Sequence, residues 1–304
     1  MFITGATGYV GRSITAAFVG AGHEVAGLAR SDASAAALER EGVAPIRGRK
    51  QEPGAWIDSV RAFDTFVHAA VDAKDDVPTS DRTVVEALIE MAGAGAGPRS
   101  LIFTSGLWVL GATGEDPADE RASTEHPSPL VAWRPAHERL VLTAESASLS
   151  CAVIRPGIIY GGSGGLVGRF FATAERDGAA RYVGDGTNRW SLVHVDDVGP
   201  LFRMVAEARA RGIFHAVDGR PLRVAEVARA ASLAAGRGGA TVSQPVEEAR
   251  QRTGLLADAL VLDQVLSAPR SRALGWTPRY ASFLEGASAA YAEWKAARAS
   301  AGGA

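Results

Sequence analysis

A single cysteine, Cys151, stands among 304 residues. An internal disulfide is therefore excluded, and the chain suits a reducing compartment. Cys151 lies in a strand-like run and reads as a small core residue. Charge of neither sign prevails: 32 Lys and Arg face 34 Asp and Glu, a net of −2. That balance leaves no electrostatic footprint for nucleic acid. No apolar run approaches the roughly 20 residues that span a bilayer, so no membrane partner is expected. A structural strand begins at once and leaves no room for a charged leader segment, so a cytoplasmic location is the expectation. Internal repeats are absent. The length suffices for one large or two modest domains with a sizeable core.

What the chain does have comes first: Met1-Phe-Ile-Thr-Gly-Ala-Thr-Gly-Tyr-Val-Gly11, followed by a helix-like run from Arg12 to Gly20. A tight turn after a strand needs a residue without Cβ at Gly5. Gly8 lets the backbone approach a pyrophosphate, and Gly11 lets the helix pack closely on the strand. The pyrophosphate would sit on free N–H groups at the helix N-terminus, where the dipole favours negative charge. His23-Glu-Val-Ala-Gly-Leu-Ala-Arg30 reads as the second strand, whose end meets the adenosine ribose. An acidic residue there suits a 2′-hydroxyl and an arginine suits a 2′-phosphate. Arg30-Ser31 follows Gly11 by nineteen residues, with Asp32 next to it, and places NADP ahead of NAD as the cofactor.

Further apolar runs predict strands over Phe63–Ala69, Arg99–Ser105 and Ser150–Arg155. Helical spacing predicts helices over Arg82–Met91, Ala136–Ser146, Leu166–Arg176, Val224–Ala235 and Phe283–Arg298. Strands separated by helices imply right-handed βαβ units and a parallel sheet. The fold class is α/β: a doubly wound parallel sheet of Rossmann type with a smaller helix-rich, substrate-covering portion. The glycine break at Gly161–Gly165 marks the passage between them. Residues 1–160 plus about 192–220 form the dinucleotide-binding domain, and about 161–191 plus 221–300 the substrate-binding portion. The tail Ala296–Ala304 is expected to fray.

Six segments then occur in register: Thr4-Gly-Ala-Thr-Gly-Tyr-Val-Gly11, His68-Ala-Ala70, Leu101-Ile-Phe-Thr-Ser105-Gly, Arg155-Pro-Gly-Ile-Ile-Tyr160-Gly, Val193-His-Val-Asp-Asp197-Val and Leu274-Gly-Trp-Thr-Pro278. Together they resemble an extended short-chain dehydrogenase/reductase, more narrowly the NAD-dependent epimerase/dehydratase group. By that resemblance Gly5, Thr7, Gly8, Tyr9 and Val10 line the pyrophosphate, and Ala69 and Ala70 flank the adenosine side. Pro156, Ile158 and Ile159 lie beside the nicotinamide, with Thr104 near them, and Ser105 matches the serine that orients the substrate oxygen.

The family's Tyr-x-x-x-Lys pair, which moves the proton while hydride moves to or from nicotinamide, has no counterpart here. Aligning on Glu138-Arg-Leu-Val-Leu142 puts Leu130 at the tyrosine and Arg134 at the lysine, whereas a shifted register gives Trp133 and His137. Ser105, His137 and Tyr160 are the candidate proton donors. The bland readings are a solvent-facing helix residue for His137 and packing for Tyr160. Arg134 can hold the nicotinamide ribose but is a poor acid. Trp108, Trp133 and Trp190 are aromatic candidates for substrate contact, with core packing as the alternative. His194 and Asp196 share a strand face without a third ligand, so His194–Asp197 is a structural link and no metal site is expected. Two functions follow. One is an NADP-dependent oxidoreductase or epimerase/dehydratase-like enzyme with an atypical donor, acting on a small metabolite as a monomer or homodimer. The other is a redox-silent protein that holds NADP structurally.

Overall fold

Apolar residues alternate along the strands of this chain and so build two cores, one on each side of a single sheet. The computed structural model describes residues 1–71, 76–95 and 97–302. In chain order the first half runs β1 (Phe2–Thr4), α1 (Tyr9–Val19), β2 (Ala26–Ala29), α2 (Asp32–Arg40), β3 (Ala44–Arg47), β4 (Thr65–His68), α3 (Val77–Gly93), β5 (Arg99–Thr104), α4 (Arg134–Thr143) and β6 (Leu149–Pro156). The remainder runs β7 (Ile158–Tyr160), α5 (Val167–Asp177), β8 (Ala180–Val183), β9 (Arg189–Trp190), β10 (Leu192–His194), α6 (Val195–Glu207), β11 (Gly212–Ala216), β12 (Leu222–Arg223), α7 (Val224–Ala234), β13 (Thr241–Gln244), α8 (Val246–Thr253), α9 (Leu256–Leu260), α10 (Pro269–Ala273) and α11 (Phe283–Gly302).

Seven strands form one parallel sheet in the order β11-β6-β5-β4-β1-β2-β3. Ile3, Val67, Ile102 and Ala152 face one way, against Ile14 and Phe18 of α1, Leu38 of α2 and Leu201 and Phe202 of α6. Their neighbours Phe2, Phe66, Leu101 and Cys151 face the other way, against Val84, Leu88 and Met91 of α3 and Val141 of α4. Both faces are covered, which is why β6 is buried along its whole length and carries the apolar run Cys151–Ile154 at its centre. The order reverses at β1, whose neighbours are β2 and β4. Open α/β sheets bind ligands at such a switch point, outside the carboxyl ends of the strands.

A separate core lies beyond Gly161, where Phe170 and Phe171 of α5, Val227 and Ala231 of α7 and Phe283 and Trp294 of α11 meet. Two clamps tie α11 and the segment before it to β10 and α6. The Asp197 carboxylate accepts the N–H groups of Arg279 and Tyr280 at 2.9 and 3.0 Å, and Glu293 stands 3.2 Å from His194 Nε2.

Helix α1 starts at Tyr9, directly at the glycine turn as expected, with the extended Gly8 as its N-cap. The sequence reading is corrected at two places here. The strand ends at His194, so Asp196 and Asp197 are first-turn residues of α6 and not strand partners of His194. Helix α11 continues to Gly302 instead of fraying from Ala296, while residues 303–304 lie outside the described residues.

Candidate active site

The glycine turn is built by backbone contact. Gly5 has φ +78°, and a Cβ there would lie 2.7 Å from the Ala69 backbone. A Cβ on Gly11 would lie 1.9 Å from the Gly5 carbonyl oxygen, so only glycine lets α1 approach β1. The first N–H groups of α1 have no acceptor within the helix and open onto the carboxyl end of β1.

Beside this turn is a cavity of about 240 Å³ lined by Gly5, Thr7, Gly8, Arg30, Ser34 and Arg49, with Lys50 and Gln51 beyond them. Arg30 follows β2 directly, as its sequence position implies. Ser31 does not line the cavity: its hydroxyl accepts the Ser34 N–H and caps α2, so Ser34 is the serine that faces inward. Asp32 is turned to solvent, where it pairs with Arg47. Arg49 and Lys50 escaped the sequence reading, although two cations just beyond the third strand are a usable signal.

Gly8, Ala69, Ala70 and Val71 also wall a second cavity of about 450 Å³. It is lined further by Tyr9, Val10, Thr104, Ser105, Trp108 and Arg134, and by Pro156, Ile158 and Ile159. Tyr9 is anchored there by its hydroxyl, which donates to the Gly161 carbonyl at 2.7 Å. Ser105 is 8 % exposed, and its Oγ has no hydrogen-bond partner among the described residues; neither has Thr104 Oγ1. Two unpartnered hydroxyls in a cavity wall are unusual, since a buried polar group without a partner costs free energy.

Helix α4 brings Arg134 to this wall. The Arg134 guanidinium donates to the Thr104 carbonyl at 2.9 Å and lies over the Trp133 ring. Burial lowers its pKa against the opposing charges of Asp81 and Glu138, and it remains a guanidinium. The helix is pinned one turn later, where Glu138 accepts two hydrogen bonds from the buried Arg155 of β6.

A buried polar chain that the sequence did not disclose reaches the same cavity, whose wall includes His68 and Asp81. Asp81 of α3 lies 3.0 Å from His68 Nε2 and 2.8 Å from His137 Nδ1, and His68 Nδ1 lies 2.6 Å from the Thr4 hydroxyl. Burial works to raise the Asp81 pKa, but the hydrogen bonds from His137 and His68 outweigh it and hold the carboxyl well below its ordinary range. A carboxylate only accepts, so both facing ring nitrogens carry protons. The chain braces β1, β4, α3 and α4 together.

Other expected site residues are placed elsewhere. His137 is buried rather than solvent-facing and is spent on Asp81, and Trp133 packs edge-on against it; neither lines the cavity. Tyr160 is fully buried between His194 and Phe283, and its hydroxyl lies outside the cavity lining. Burial raises its pKa further, which makes it a poor proton donor. Trp190 stacks on Phe170 in the helix-rich core and lines a different cavity. Leu130 sits in a 3₁₀ turn, Pro129–Val131, from which Val131 reaches the cavity. Among the described residues, the cavity wall carries no lysine and no tyrosine but Tyr9.

Comparison with known proteins agrees with this geometry. The model of the NAD dependent epimerase/dehydratase family matches residues 1–216. An uncharacterized protein of Saccharomyces cerevisiae, YLL056C, is 29 % identical over 301 residues, covering 96 % of this chain and 98 % of its own. The 2-alkyl-3-oxoalkanoate reductase of Stenotrophomonas maltophilia is 28 % identical over 245 residues, covering 75 % and 73 %. The UDP-glucose 4-epimerase of Thermus thermophilus, solved in complex with NAD, shares the fold with a TM-score of 0.77 at 23 % identity, over 97 % of this chain and 99 % of that one. The chain belongs to the NAD dependent epimerase/dehydratase family.

Proposed function

We infer that the chain is an NADPH-dependent reductase of a small carbonyl compound, in which Ser105 and Arg134 take over the work of the missing tyrosine and lysine. The observation that carries this reading is the buried Ser105 hydroxyl, unpartnered beside Arg134 in a cavity continuous with a phosphate-binding turn. The residues fit a dinucleotide. The open N-terminus of α1 suits a pyrophosphate, and Arg30 with Arg49 and Lys50 suits a 2′-phosphate better than a ribose hydroxyl. When bound, the reduced nicotinamide supplies a hydride. Pro156, Ile158 and Ile159 exclude water on one side of it, and Arg134 stands where it can hold the ribose or a developing oxyanion. Ser105 Oγ donates its hydrogen bond to the substrate oxygen and gives up its proton there, regaining one from solvent. Trp108 contacts the substrate, and the portion made of about 161–191 plus 221–300 closes over it.

The reductase named among the relatives acts on an oxo acid, so 2-alkyl-3-oxoalkanoates belong in the first substrate panel. NADPH consumption with one of these, abolished in Ser105→Ala while NADPH binding persists, supports the reading. Unchanged turnover in Ser105→Ala contradicts it. The alternative of a redox-silent NADP-binding protein draws on Leu130 and Arg134 standing where the family pattern has tyrosine and lysine. It predicts tight NADPH binding and no consumption with any carbonyl compound.

A further inference from the structure

A cavity of about 680 Å³ lies away from the glycine turn, in the helix-rich portion. Its body is apolar, with the parallel-stacked rings of Phe170 and Trp190 (centroids 5.7 Å apart, planes 9° apart) among Leu166, Val224 and Leu260. Four arginines line it, and they are not equivalent. Arg176 and Arg181 are both engaged by Asp177. Arg169 and Arg252 reach it from α5 and α8 and make no side-chain hydrogen bond or ion pair with any described residue. The neighbouring Arg250, by contrast, is neutralised by Asp258. Gln244, at the end of β13, is 5 % exposed and also lines the cavity, and its side-chain nitrogen has no partner.

A flat apolar body, two uncompensated guanidinium groups and an idle buried amide donor describe one kind of ligand. We propose that this cavity is a binding site for an aromatic carboxylate, its ring against the Phe170–Trp190 stack and its carboxylate between Arg169 and Arg252. Gln244 donates to a second oxygen of the ligand. Planar guanidinium forks match a carboxylate in two-point geometry. The charge selects the anion and the stacked rings select the flat body, so neither a neutral arene nor a small inorganic anion satisfies the whole wall. Leu166 is a wall common to this cavity and the Ser105 cavity, so the two ligands are neighbours without sharing a position. The proposal stands whether or not the chain transfers hydride.

The probe is 2-naphthoate, titrated calorimetrically into the full chain with and without saturating NADPH, beside the neutral 2-naphthamide. Saturable naphthoate binding of equal affinity in both conditions is expected, with the amide weaker by about tenfold or more. Arg169→Glu with Arg252→Glu should abolish naphthoate binding while the melting temperature and NADPH binding hold, since both side chains are exposed. Gln244→Leu should weaken naphthoate by about tenfold, the loss of one buried donor. Failure of naphthoate to saturate the native chain overturns the proposal. So does equal affinity for the amide, or naphthoate binding that survives the double charge reversal. Displacement of naphthoate by NADPH would place the probe in the cofactor cavity and overturn it as well.

Discussion

Replacing Ser105 by alanine separates folding from function in opposite directions. The hydroxyl is buried and unpartnered, so in the free protein it costs about 1–3 kcal/mol of desolvation that no hydrogen bond repays. Alanine removes that cost and leaves a gap of a single oxygen, so stability should hold or rise by up to about 2 kcal/mol. In the proposed reaction the same hydroxyl is the donor at the substrate oxygen. Losing a positioned donor or acid costs about 10²–10⁴ in rate, equivalent to roughly 3–5 kcal/mol of transition-state stabilisation. NADPH affinity should change little, because the contacts proposed for the pyrophosphate and 2′-phosphate lie around Gly8 and Arg30. The assay pairs calorimetric melting with single-turnover NADPH oxidation against 2-alkyl-3-oxoalkanoates. A variant that melts several degrees lower would show the hydroxyl to be structural, and a variant that keeps full turnover would refute its place in the chemistry.

Arg30→Ala should weaken NADPH by about ten- to a hundredfold and leave NADH nearly unchanged, the value of one charge-assisted phosphate contact; equal losses for both cofactors would dismiss the 2′-phosphate assignment. Glu138→Ala strands the buried Arg155 and should destabilise the fold by about 3–5 kcal/mol, read as the urea midpoint, with a loss below 1 kcal/mol counting against the pinning of α4. Burial pushes the Asp218 carboxyl from 3.8 up to about 7, with Asp197 adding to the shift and the Arg220 N–H and the charges of Arg220 and Arg272 opposing it. The folded state then binds more protons than the unfolded one between about pH 4 and 7. Its contribution is fully present below pH 4 and lost as pH rises through 7, on the order of 4 kcal/mol. Asp218→Asn should remove that fall, and parallel melting curves for the two proteins between pH 5 and 8 would contradict it.

How much of this was readable without coordinates depended on the range of the interaction. The strand, glycine turn and helix over Phe2–Val19 are local, and Gly5 and Gly11 signal them because no other residue fits against Ala69 and the Gly5 carbonyl. Arg30 was legible for the same reason, as a strand end is set by its own run of apolar residues. Asp81 was not, because its meaning comes from His68 and His137 on two other elements, brought together only when α3 and α4 settle on one face of the sheet. Tyr160 and Trp190 looked like pocket residues from their position near the sheet mouth. Strand alternation turns them into the helix-rich core beyond Gly161, away from the Ser105 cavity, and one residue of register decides that. Ser31 showed the same ambiguity at short range, since a serine after a strand either meets a ligand or caps the next helix, and here it caps.

The central claim is that the cavity at Ser105 and Arg134 hosts hydride transfer to a carbonyl carbon. The most direct measurement is mass spectrometry of the product after incubation with NADPH deuterated at the transferable C4 position and a 2-alkyl-3-oxoalkanoate. The account predicts one deuterium on the new carbinol carbon, formed by the native chain and lost in Ser105→Ala. Tight binding of the labelled NADPH with no deuterium appearing in product would contradict it and leave the chain a redox-silent binder of the nucleotide.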